Sequence, residues 1–103
     1  MERSRLNRDR ALAELTACSS EVRAHGVQAL YLFGSTARHM AREGSDVDIF
    51  IEADPAIRFN AFDLIDVKLL LEKRLAAHVD LTTREGLHPR LRGEIEREAI
   101  RAF

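Results

Sequence analysis

The chain has one cysteine, no tryptophan, one tyrosine, two prolines and five glycines in 103 residues. With Cys18 alone, neither an internal disulfide nor a cysteine zinc cage can form. Neither sign of charge is in excess: 16 lysines and arginines stand against 17 acids, a formal net charge of −1. That balance excludes a grip on nucleic acid by bulk electrostatics. No apolar run approaches the roughly 18 residues of a membrane span. The basic start MERSRLNRDR is not followed by the apolar segment of a signal peptide, so the chain is expected to be cytoplasmic. Repeats, low-complexity tracts and linkers are missing too, and one domain over residues 1–103 is expected. What is present is 46% hydrophobic and 32% charged, the balance of a soluble globular domain with one small core.

Gly26, Gly34-Ser35, Glu43-Gly44-Ser45, Asp54-Pro55 and residues 86–89 punctuate the chain. Between them the hydrophobic period changes. Leu12, Leu15, Cys18 and Val22 recur every three or four residues, which predicts a helix over about 6–25. Gly26 then stops it. Val27 to Phe33 is short and rich in β-formers, a strand. Thr36 to Arg42 reads as one or two helical turns. Asp46 to Glu52 alternates, with Val47, Ile49 and Ile51 on one face and Asp46, Asp48 and Phe50 on the other. Asn60 is an N-cap for a helix to about Ala77. His78 to Thr82 alternates again, Val79 and Leu81 facing away from Asp80. Pro89 opens a last helix carrying Leu91, Ile95 and Ala99. The order α-β-α-β-α-β-α predicts an α/β (α+β) two-layer sandwich. In it a small mixed sheet of at least three strands is covered by about four helices.

The helix after Asn60 is apolar on two sides. Phe62, Ile65, Leu69 and Ala76 form one stripe; Leu64, Val67, Leu71 and Leu75 form another, nearly opposite. One is expected on the sheet and the other against a neighbouring chain, with Leu64, Leu71 and Leu75 taken as the partner-facing set.

The chemistry concentrates in Leu32 to Glu52, LFGSTARHMAREGSDVDIFIE. Gly34 and Ser35 end a strand and open a helix. A glycine there lets backbone N–H groups approach a ligand, and a helix start offers free donors and partial positive charge. Ser35 adds a hydroxyl, completing a phosphate cradle. Ten residues later Asp46 and Asp48 share a strand face, their Cβ atoms roughly 6–7 Å apart. Two carboxylates so placed repel unless a cation intervenes. Mg²⁺ is bound through one or two carboxylates plus substrate phosphates, so cradle and carboxylates predict one another. Asp80 is a third acid on the next strand. If that strand lies beside the first, the cluster can hold two metal ions for an in-line phosphoryl displacement. A lone Gly-Ser pair is usually a turn, and a lone surface Asp is usually only solvated. The four together, G-S-x10-D-x-D, arise by chance in about one chain in 10³ of this size.

This segment resembles the signature of the polymerase-β-type nucleotidyltransferase superfamily. Nearly the whole chain resembles the minimal nucleotidyltransferases of bacteria and archaea. The resemblance implies a polymerase-β-like fold, Gly34 and Ser35 on the nucleotide phosphates, Asp46 and Asp48 on Mg²⁺, and Asp80 completing a site for two ions. Family members often carry Gly-Ser-x-Ala-Arg-Gly. Here Gly34-Ser35-Thr36-Ala37-Arg38 matches, and His39 replaces the last glycine. The resemblance further implies AMP transfer from ATP to a hydroxyl, with Asp46, Asp48 and Asp80 catalytic. It also implies an antitoxin paired with a HEPN-type ribonuclease toxin whose tyrosine accepts AMP. Assembly of the chain with its own copies is a further expectation. Two alternatives stay open: a non-catalytic module that neutralises its partner by covering it, and a small nucleotidyltransferase acting on RNA or a small molecule.

Arg38 and Arg42 share a helical face beside the cradle and are candidates for neutralising phosphate charge. The four histidines, His25, His39, His78 and His88, lack a paired metal-binding spacing and are expected to be structural. Cys18 falls in an apolar stripe and is expected in the core.

Overall fold

The computed structural model describes residues 6–38, 40 and 46–103. Helices α1 (Arg8–Ala17) and α2 (Ser19–Ala24) precede strand β1 (Val27–Phe33) and a single helical turn, α3 (Gly34–Ala37). Then come β2 (Val47–Ala53), α4 (Ala61–Leu75), β3 (Val79–Thr83), a 3-10 turn (Arg84–Gly86), α5 (Pro89–Glu98) and β4 (Ile100–Arg101). The sheet order is β3-β2-β1-β4, with β2 and β3 parallel and the other two pairs antiparallel. It is the mixed-sheet α/β sandwich expected, with four strands and five helices among the described residues. None of those helices is long and apolar enough to cross a membrane.

The expected first helix is broken. Cys18 leaves helical geometry (φ −99°, ψ 13°), and its N–H bonds back to Glu14 and Thr16 carbonyls. Ser19 and Ser20 follow, residues that favour caps over helix interiors. Periodicity cannot register such a break, because the apolar face continues across it: Ala11, Leu15, Cys18 and Val22 are all buried. Gly26, at φ +100°, then turns the chain into β1. Helix α4 starts as expected at Asn60, which the structure shows in a capping box with Asp63, but stops at Leu75 because Ala76 adopts the left-handed conformation (φ 52°). β4 was not anticipated; two residues are too few to show a period. Ala99, expected inside the last helix, is its extended C-cap and leads into that strand.

The core lies on one face of the sheet. Leu30 and Leu32 of β1, Val47, Ile49 and Ile51 of β2 and Val79 of β3 pack with Ala11, Leu15, Val22, Val67, Leu71 and Leu75 from the helices. Burying each large aliphatic side chain contributes about 1.5–3 kcal/mol. This corrects the expectation for α4. Leu71 is fully buried and Leu64 is packed against the core, so the stripe assigned to a neighbouring chain holds the domain together. The uncovered stripe is Phe62, Ile65 and Leu69.

Candidate active site

The other face of the sheet carries the polar half of each alternating strand. Register places Phe33 opposite Asp48 and Tyr31 opposite Phe50, and pairs Asp48 with Asp80 on parallel β3. The condition set for convergence of the three acids, that the Asp80 strand neighbour the Asp46 strand, is met. Asp46 stands one residue before β2, exposed, and Asp80 is exposed on the sheet edge; Asp48 is half-buried between them. Burial, then the charges of Asp80 and Asp46, push the Asp48 carboxyl above the usual carboxylate range, against a smaller opposing pull from Arg38.

Gly34 follows β1 directly and has φ +74°, a conformation that L side chains rarely adopt. A Cβ there would also overlap a carboxylate oxygen of Asp48 and come within 3.1 Å of its Cβ. The glycine of the cradle and the central carboxylate therefore occupy one another's space. Ser35 is half-buried in the first turn of α3, where backbone N–H groups have no intrahelical acceptor. The chemistry of this set suits a hard divalent cation with phosphates: oxygen donors that repel one another, beside a run of N–H donors. Among the described residues no three His, Cys, Asp or Glu side chains close into a ready metal cage.

Arg38 is placed differently from the expectation. Its guanidinium pairs with Glu98 of α5 at 3.2 Å, so it is engaged by an acid while lying close enough to influence Asp48. Arg42, His39 and the 43–45 turn lie outside the described residues. His25 ends α2, and His88 caps α5 by accepting from the Arg90 N–H at 3.2 Å. His78 lies 3.8 Å from Glu72. Cys18 is buried and burial raises its thiol pKa, which keeps it unreactive.

Sequence reasoning missed Arg84. Its guanidinium lies 4.9 Å from the Tyr31 ring centroid and 5.0 Å from that of Phe50, two rings themselves stacked at 4.7 Å. It donates to Glu52 at 2.8 Å and also to Glu96 of α5. Those bonds hold both carboxyls below their usual range. The one available signal was Phe50, an aromatic on the acidic face of β2 that needed a cover; nothing local named Arg84 as that cover.

Backbone donors at the end of β1, set beside carboxylates on neighbouring strands of a mixed sheet, suit chemistry on a phosphate-bearing group. The chain belongs to the nucleotidyltransferase domain family, whose model matches residues 15–102. It is similar to MJ0435 of Methanocaldococcus jannaschii, a candidate protein adenylyltransferase, at 38% identity over 74% of this chain and 80% of that protein. It is also similar to the protein adenylyltransferase MntA of Thermococcus cleftensis, at 33% identity over 84% of this chain and 86% of the relative. A candidate minimal nucleotidyltransferase of known structure superposes with TM-score 0.80 at 36% identity, covering 95% of this chain and 98% of that one. The fold is shared as well with a complex of a tri-AMPylated Shewanella oneidensis HEPN toxin and its MNT antitoxin. There the TM-score is 0.62 at 19% identity, over 89% and 71% of the two chains. The chain is a nucleotidyltransferase.

Proposed function

We propose that the chain, as one domain over residues 1–103, transfers AMP from ATP to a tyrosine of a HEPN-type toxin and thereby silences it as an antitoxin. The observation that carries this is the close approach of Gly34 to Asp48: a glycine turn that opens a helix, set against a carboxyl that burial and two neighbouring acids push up. The names of MJ0435 and MntA, and the AMPylated toxin in the structure of similar fold, support protein as the acceptor. The small net charge favours it over RNA.

Asp46, Asp48 and Asp80 would hold Mg²⁺, two ions in all, which supplies neutralising charge for the phosphates when bound. Gly34 N–H, Ser35 N–H and the Ser35 hydroxyl would hold the β- and γ-phosphates. The acceptor oxygen forms a bond to the α-phosphorus, the bond from that phosphorus to pyrophosphate breaks, and the hydroxyl proton passes to Asp80. Positioning and charge stabilisation do most of the work. Arg38 would add charge only after exchanging Glu98 for phosphate.

The test is to mix the protein, labelled ATP, Mg²⁺ and a HEPN-type toxin as partner. Labelled AMP should appear on the partner and be lost in Asp80→Asn. Ser35→Ala should reduce transfer about 10–100-fold, the cost of one hydrogen bond to a charged group. If both variants silence the partner as fully as the parent, the covering-module reading replaces this one.

A further inference from the structure

Phe62, Ile65 and Leu69 are 78%, 52% and 58% exposed. Spacings of three and four put them on one face of α4. They span about 10 Å along the helix. Single exposed leucines are ordinary, but a continuous stripe of Phe, Ile and Leu marks a surface that is covered in use.

Two observations say by what. The first is position. Val67, Leu71 and Leu75, on the opposite side of α4, pack on the core face of the sheet. The stripe therefore points away from the sheet, while Asp48 and Asp80 lie on the far face. An acceptor presented to those acids leaves the stripe open. The second is charge. Asp66 and Lys73 lie seven residues apart along one edge of the stripe, both exposed. Neither has an ion-pair partner among the described residues. An acid on the N-terminal half and a base on the C-terminal half make the face complementary to itself when run antiparallel.

We infer that α4 is the seat of a two-fold homodimer. With the axis through Leu69, that side chain meets Leu69 of the second copy. Phe62 and Ile65 seat beyond Leu69 toward the last turn of the other helix, and each Asp66 approaches Lys73 of the other copy along one edge of the seam. The contact is isologous, and both acidic faces point outward. Only the argument about where the acceptor approaches rests on the proposed function.

The test is sedimentation equilibrium of the full chain without nucleotide or partner. A single helix pair is small for a stable interface, so the range is about 1–500 µM. A monomer–dimer equilibrium is expected. Leu69→Glu should abolish it with an unchanged melting curve. Asp66→Lys and Lys73→Asp should each weaken dimerisation about tenfold or more, and the two together should restore it. A monomer throughout the range, or a double variant no better than the singles, overturns the inference. So does a Leu69→Glu protein that still dimerises but no longer captures the toxin, because the stripe then belongs to the toxin. Loss of AMP transfer alone bears on the proposed function and leaves the dimer untouched.

Discussion

The two faces of the sheet are built from the same strands and obey opposite rules. On the core face Leu30, Leu32, Val47, Ile49, Ile51 and Val79 are at most 3% exposed, and three helices cover them. On the other face the alternate residues are Tyr31, Phe33, Asp48, Phe50, Glu52, Asp80 and Thr82. That face divides again along β2. At one end the Asp48 carboxyl is pushed up by burial and by Asp80 and Asp46; four residues on, Glu52 is pulled down by Arg84. The Arg84 end is a finished structural joint of rings and ion pairs. The Asp48 end is left with its repulsion unrelieved, and it is there that the proposed function places a cation.

The contrast is broken most severely by Asp48→Asn. Removing the central carboxylate should lower AMP transfer by about 10³-fold or more, several kcal/mol of transition-state stabilisation. Stability should be unchanged or raised, since a repulsion is relieved. AMP incorporation beside a thermal melt checks both; near-normal transfer removes Asp48 from the chemistry. Leu71→Ala does the reverse. A fully buried leucine cut to alanine should cost about 2–5 kcal/mol in urea unfolding, with transfer retained well below the melt. A loss under 1 kcal/mol would mean that α4 is not part of the core. Gly34→Ala touches both faces of the problem. The left-handed backbone and the overlap with Asp48 should cost about 1–3 kcal/mol of stability and also weaken ATP binding. An unchanged titration with ATP would separate the cradle from Asp48.

The legibility of the chain follows the same division. Val47, Ile49 and Ile51 announce β2 and its buried side, because strand period and burial coincide. Gly34, Ser35, Asp46 and Asp48 were legible as a set because their chemistry is local and spaced within one turn and one strand. Asp80 needed the pairing of β2 with β3, which sequence could pose only as a condition. For α4 periodicity revealed two apolar stripes, but two similar stripes carry no information about which one meets the sheet. Arg38 and Glu98 are 60 residues apart, and Arg84 and Glu52 are 32 apart. Long side chains that choose partners across the fold leave no periodic mark.

The smallest expected effect sharpens the comparison at the Arg84 end. The Glu52 carboxyl is held below its usual range first by the Arg84 hydrogen bond, against a lesser penalty from burial and with help from Tyr31. An unfolded Glu titrates near about 4.3, so in this window the folded state binds fewer protons than the unfolded one. Stability from the pair is therefore complete above the unfolded value and is lost as pH falls through the folded one. Between about pH 5 and pH 3 the melting temperature of the parent should fall more steeply than that of Glu52→Gln. Other carboxylates contribute to both curves, so the difference in slope is the measurement. Arg84→Gln should flatten the curve in the same way, and adding Glu52→Gln to it should change the slope little further, since each variant removes the same pair. Raised salt should shrink the difference, because Glu52 is more than one-third exposed. Parallel curves for parent and Glu52→Gln would show that the ion pair contributes nothing net, as exposed pairs often do. The second face would then be held at this end by Tyr31, Phe50 and the stacked guanidinium alone.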